Sequence, residues 1–205
     1  MVYSIIGSII KFIIAKVFKN LEVLGEENKP QLYRYLVTCN HESYNDVILL
    51  GVALLPNQIH YMAKQELFEH KYFGKLLTAL NAFPVNRENP GPSTLKRPIK
   101  LLKENKTVGI FPNGHRTTEE VPLKRGAATI ALLAQKPILP AAYVGPDKIL
   151  GMFKEKAYIK FGEPIDVTNL PEGLKRQEKV DYITQQINER TKQLQQELRE
   201  YVGRK

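Results

Sequence analysis

Between residues 32 and 161 the chain repeats one alternation: a short apolar run, a polar turn, then apolar residues at helical spacing. The runs at 32–39, 59–63, 82–85, 107–111, 138–144 and 158–161 read as strands, and the stretches at 47–55, 66–80, 93–102 and 126–133 as helices. The 66–80 pattern carries Leu67, Phe73, Leu76, Leu77 and Leu80. Strands that alternate with helices predict an α/β fold, a single domain with a mixed sheet flanked by helices. A chain of 205 residues suits one such domain with a proper core. The last stretch, 174–202, reads as a long helix with Val180, Ile183, Ile187, Leu194, Leu198 and Tyr201 on one face, docked on the domain. The expected division is therefore a helix over 1–20 and an α/β domain over 21–205. Ligands of such sheets sit at strand ends, here the turns after Cys39, Val85 and Phe111.

Residues 1–19 are unusually apolar: Ile5, Ile6, Ile9, Ile10, Phe12, Ile13, Ile14, Val17 and Phe18 are interrupted by Ser4, Ser8, Lys11, Ala15 and Lys19 at three- and four-residue intervals. That spacing leaves one narrow polar stripe on a wide apolar helix. Lys11 and Lys16 deny it the roughly twenty apolar residues of a membrane span. A signal peptide carries its charge before the apolar run, and here the lysines fall within and after it. Two readings stand. The helix lies in a bilayer interface, with Ile5, Ile6, Ile9, Ile10, Phe12 and Ile13 in the apolar layer and Lys11 and Lys16 toward anionic headgroups. Alternatively it packs on the protein's own core.

A formal net charge of +9 makes the surface attractive to something anionic: phospholipid headgroups, acidic substrates and partners, or nucleic acid. Zinc-finger spacing, a helix-turn-helix signal and an aromatic-rich basic motif are all missing, so no nucleic-acid partner is expected. The one cysteine, Cys39, sits in an apolar run and reads as a buried structural thiol. His41, His60, His70 and His115 show no metal-ligand spacing, so no metal is expected.

Four polar turns follow strands. In Asn40-His41-Glu42-Ser43-Tyr44-Asn45-Asp46 an aspartate stands five residues after a histidine. A carboxylate on one imidazole nitrogen fixes the tautomer and leaves the other nitrogen bare to take a proton. The same residues also read as a helix N-terminus capped by Asn45 or Asp46, with His41 a bystander. The other turns are Lys64 at a strand–helix junction, Phe83-Pro84-Val85-Asn86-Arg87, and Phe111-Pro112-Asn113-Gly114-His115-Arg116-Thr117. Lys64, Arg87 and Arg116 each fall at the end of a predicted strand, so one sheet edge can collect three cations suited to phosphate. Gly114 lets the backbone approach a bound anion. Ser43 lacks the Gly-x-Ser-x-Gly setting of a nucleophile and reads as a hydrogen-bonding turn residue.

Taken together, these turns resemble the motifs of the glycerolipid acyltransferases, the family of the 1-acyl-sn-glycerol-3-phosphate acyltransferases. Asn40-His41-x-Ser43-x-x-Asp46 is similar to the first motif, Lys64-x-Glu66-Leu67 to the segment after it, Phe83–Arg87 to the second and Phe111–Thr117 to the third. Ile138-Leu139-Pro140-Ala141-Ala142 is similar to the fourth. The third motif departs from the family pattern, with Asn113 where many members have glutamate and His115 where they have threonine. The resemblance covers residues 30–165 and implies transfer of an acyl group from a thioester to the sn-2 hydroxyl of lysophosphatidic acid. It implies His41 as base, Asp46 as its partner, and Lys64, Arg87 and Arg116 on the phosphate, with Asn113 and Gly114 in the substrate-site turn. Acyl-CoA or acyl-acyl carrier protein would be the co-substrate, with no other cofactor. The expected location is the cytoplasmic face of the cell membrane, peripheral or monotopic. The same motifs fit a family member acting on glycerol-3-phosphate or another lysophospholipid. A non-catalytic lipid-binding protein is the alternative from another class.

Overall fold

The structure, a computed structural model, describes residues 2–31, 34–86, 92–112 and 123–204, and among these the side chains at 15, 16, 92, 93, 123 and 124 are left aside. Arg87, Asn113, Gly114, His115 and Arg116 thus lie outside the described residues, as does the side chain of Lys16. Seven strands, β1 (Leu21–Leu24), β2 (Leu36–Cys39), β3 (Ile59–Lys64), β4 (Phe83–Val85), β5 (Thr107–Ile110), β6 (Ile138–Val144) and β7 (Ala157–Phe161), form one sheet in the order β1-β7-β6-β2-β5-β3-β4. Every neighbouring pair is parallel except β6 and β7. The sheet is mixed, as the alternation of elements predicted.

Among the described residues six α-helices accompany it: α1 (Val2–Lys11), α2 (Tyr44–Ala53), α3 (Lys71–Ala79), α4 (Pro92–Lys103), α5 (Leu123–Ala134) and α6 (Arg176–Gly203). The central strand β2 is buried throughout, which is why it reads as a continuous apolar run and not as an alternation. Its side chains nonetheless divide by parity. Tyr35, Val37 and Cys39 enter one core with Leu49, Leu50, Leu139, Ala141 and Ile159, under α1 and α2. Leu36 enters a second core with Val108, Ile130, Ile183 and Ile187, under α4, α5 and α6. The result is a three-layer sandwich, helices on both faces of a largely parallel sheet.

Three elements differ from the sequence reading. The stretch 66–80 is not one helix: a 3₁₀ turn, Gln65–Phe68, precedes α3. Gly74 explains the fold-back, since a Cβ there would lie 2.6 Å from the Phe68 carbonyl oxygen. His70 caps the new helix by accepting from the Phe73 amide at 3.3 Å. The short strand β1, unassigned from sequence, adds to the edge beside β7. The N-terminal segment is α-helical to Lys11 and then widens into π-helical turns over Phe12–Val17.

The apolar surface of that segment is divided between two environments. Tyr3 and Ile14 are buried in the core beneath α2, with Ile10 packed against it, and Gly7 approaches Leu55 so closely that a Cβ would stand 3.2 Å from Leu55 Cδ1. Tyr3 accepts from the Ile59 amide at 3.3 Å, and Ser4 accepts from Gln58 at 2.8 Å. Ile5, Ile9, Phe12 and Lys11 are exposed, while Ile6 and Ile13 are half-buried. The two readings of the helix are therefore not exclusive, because one face is core and another is open.

Candidate active site

The site begins where β2 ends. Asn40 is buried, and its side chain donates to the Tyr143 carbonyl at 3.0 Å and accepts from the Tyr143 amide at 2.7 Å. This pair of bonds continues the β2–β6 ladder by one side chain and sets the direction in which the chain leaves the sheet. Ser43 then caps α2, its hydroxyl accepting from the Asn45 amide at 3.0 Å. The cap is thus Ser43, not Asn45 or Asp46.

Asp46, in the first turn of α2, performs two tasks. Its Oδ2 accepts from the Glu42 and Ser43 amides at 2.8 and 2.9 Å, closing a capping box. His41 Nδ1 lies 3.0 Å from Oδ1 and 3.2 Å from Oδ2. The carboxylate is fully buried, 0% exposed, whereas the His41 side chain is 28% exposed. A buried carboxylate is tolerable when donors surround it, and here two amides, an imidazole N–H and a helix N-terminus do so. With the carboxylate accepting the Nδ1–H, Nε2 is the nitrogen left without a proton, on a side chain 28% exposed. Such an arrangement suits an imidazole to take a proton.

Aromatic rings fix the imidazole from the side. Phe111, just past β5, packs on His41 with centroids 4.8 Å apart, and Tyr61 stacks behind Phe111 at 5.9 Å. Tyr61 is itself tied down by donating to the Val47 carbonyl at 2.8 Å. Gly109, its register partner on β5, makes room for the ring, since a Cβ there would lie 2.7 Å from Tyr61 Cε1. Asn45, also buried, donates to the Pro146 and Lys148 carbonyls at 2.7 and 2.9 Å and so clamps α2 to the β6–β7 connection. Glu42 accepts from Gln195 and Arg199 of α6, each at 3.2 Å. None of these clamps has a local sequence signal, because the partners stand between 14 and 157 positions apart.

The parallel pairing of β2, β5, β3 and β4 brings the ends of all four strands to one edge of the sheet. Lys64, the last residue of β3, is there, 42% exposed and 3.3 Å from the Glu66 carboxylate. The connections that carry Arg87 and Arg116 leave the same edge after Val85 and Ile110; both arginines, with Asn113 and Gly114, fall outside the described residues. Cys39 is buried, and that burial pushes its thiol well above the ordinary range, so it stays protonated and inert.

A doubly covered α/β sheet that ends in a carboxylate-oriented histidine, with Lys64 at a neighbouring strand end, is the arrangement that general-base chemistry requires. The family model described as Acyltransferase matches residues 20–144, and the chain belongs to that family. The 1-acyl-sn-glycerol-3-phosphate acyltransferase of Bacillus subtilis (strain 168) is 48% identical over 182 residues, 87% of this chain and 89% of the relative. The enzyme of the same name from Streptococcus pneumoniae is 31% identical over 94% of this chain and 75% of its own length. The crystal structure of the 1-acyl-sn-glycerophosphate (LPA) acyltransferase PlsC from Thermotoga maritima superposes with a TM-score of 0.62 at 22% identity, covering 92% of this chain and 80% of that one; it shares the fold.

Proposed function

We propose that this acyltransferase moves a fatty acyl group from a thioester to the sn-2 hydroxyl of lysophosphatidic acid, giving phosphatidic acid for phospholipid synthesis. The observation that carries the chemistry is the His41–Asp46 pair at 3.0 Å, on a histidine side chain that is partly exposed. The acceptor hydroxyl gives its proton to His41 Nε2 as its oxygen attacks the thioester carbonyl. Asp46 balances the imidazolium that forms. Collapse of the tetrahedral intermediate breaks the C–S bond, and the departing thiolate takes the proton back from Nε2. A thioester is reactive enough to need no covalent acyl-enzyme, which agrees with an inert Cys39 and with Ser43 committed to a helix cap. Arg87 and Arg116, with Lys64, bind the acceptor phosphate and place its hydroxyl; Asn113 and Gly114 shape that end of the site. The donor is acyl-CoA or acyl-acyl carrier protein, and no further cofactor takes part. Thiol release from each donor, with and without lysophosphatidic acid, is the test. Release that requires the acceptor, with phosphatidic acid as product, is expected; release into water alone would make the protein a hydrolase.

The enzyme sits on the cytoplasmic face of the cell membrane, held peripherally by the open face of α1 and the π-helical turns after it. The exposed Ile5, Ile9 and Phe12 beside Lys11 support this placement. Among the described residues no helix is long and apolar enough to cross a bilayer. Deleting residues 1–19 would remove Tyr3 and Ile14 from the core, so substitution is the cleaner probe. Ile5→Ser/Ile9→Ser/Phe12→Ser is expected to weaken binding to phosphatidylglycerol vesicles about 100-fold with no change in melting temperature. Undiminished co-sedimentation would remove α1 as the anchor.

A further inference from the structure

The β6–β7 connection carries a feature that acyl transfer does not use. Its 3₁₀ turn, Ile149–Phe153, presents Ile149 and Leu150 to solvent at 50% and 73% exposure. A loose loop would let two aliphatic side chains collapse inward, and this turn is not loose. Met152 is buried in the core, and Gly151 lies so near Pro146 that a Cβ would stand 2.5 Å from Pro146 Cβ. Asn45, next to Asp46, holds the Pro146 and Lys148 carbonyls. The scaffold therefore aims the two side chains outward.

What surrounds the tip says what covers it. Phe153 meets Phe18 edge-on at 5.8 Å, and Asn20 donates to the Met152 carbonyl at 3.4 Å, so the turn joins the end of the N-terminal segment, where Val17 and Phe18 are exposed. On its other side it packs against α2, whose first residue, Tyr44, is exposed three positions after His41. The turn thus stands between the exposed end of the N-terminal segment and the helix that follows the catalytic turn. Exposed Lys19, Lys148 and Lys154 rim it, against exposed Asp147 and Glu155, leaving cations in excess.

We propose that Ile149 and Leu150 form a second insertion point into an anionic phospholipid bilayer. A single interfacial helix is a narrow line of contact about which the body can rock. A second contact beside α2 removes that freedom and turns the catalytic edge toward the lipid. The proposal rests on a bilayer-resident acceptor, and its tests separate the two.

The chain contains no tryptophan, so Leu150→Trp introduces a sole indole reporter. On adding vesicles of phosphatidylcholine with phosphatidylglycerol, its emission should shift blue and be quenched by brominated acyl chains. A water-like emission from vesicle-bound protein would overturn insertion, whether or not the protein proves to be an acyltransferase. A blue shift without vesicles that grows with protein concentration would assign the tip to a second copy of the chain and overturn it as well. In turnover, Ile149→Ser/Leu150→Ser should lose about tenfold on lysophosphatidic acid embedded in vesicles and nothing on a short-chain lysophosphatidic acid dissolved as monomer. Equal loss on both substrates, or on neither, refutes the orienting role.

Discussion

Replacing His41 with alanine is expected to lower acceptor-dependent thiol release by roughly 10²- to 10⁴-fold, the range that one positioned base contributes. The fold should survive, because Asp46 keeps the Glu42 and Ser43 amides that close the capping box. A melting temperature near that of the parent, together with unchanged vesicle binding, would confirm that the loss is chemical. In the proposed mechanism phosphate binding and bilayer docking do not pass through the imidazole, so the KM for lysophosphatidic acid should change far less than kcat. If His41→Ala turned over at the parent's rate, the mechanism would be wrong, and the motif would be a helix cap with a bystander histidine.

Asp46→Asn should be comparably damaging, by about 10²- to 10⁴-fold, for a reason the hydrogen bonds make explicit. The oxygen of the new amide must occupy the Oδ2 position, because two backbone N–H groups point there. Its NH₂ then faces His41 Nδ1, a donor where an acceptor had stood. A donor at the nearer contact favours Nδ1 as acceptor and Nε2 as the protonated nitrogen, the wrong tautomer for a base, against the 3.2 Å contact that Nδ1 keeps with the Oδ2 position. The cap largely survives, so stability should fall by only about 1–3 kcal/mol. Asp46→Ala should cost more stability, since it orphans both amides. The measurement is kcat alongside thermal unfolding for the two variants. Normal kcat in Asp46→Asn would show that the pair serves the fold alone.

Much of this was legible in the chain. Runs such as 138–144, separated by helical spacing, permit little other than strands and helices in alternation, because the periods of 2 and 3.6 are local geometry. The five-residue step from His41 to Asp46 is also local: a turn and the first residues of a helix suffice to bring them together. Cap and catalytic partner are rivals in the sequence, and in the structure one carboxylate meets both the two amides and the imidazole. Asn113 and Gly114, and the two arginines, were read as site residues, and they lie outside the described residues.

The sequence by itself determined the class of fold, the local His–Asp geometry, and the apolar character of the N-terminal segment. Only the tertiary structure decided what those elements meet. Strand β1 exists because β7, 136 positions away in register, offers an edge. Gly109 and Tyr61 matter because adjacent parallel strands lay one residue's ring over the other's bare Cα, in support of Phe111 and His41. Glu42 reaches α6, and Asn45 reaches the turn after β6, across more than a hundred residues. The face of α1 that is core and the face left open follow from where α2 and Leu55 stand. Helical and strand periods are set by bonds between near neighbours and can be read along the chain. Contacts between distant segments are set by the order in which strands enter the sheet, and that order leaves no local pattern in the sequence.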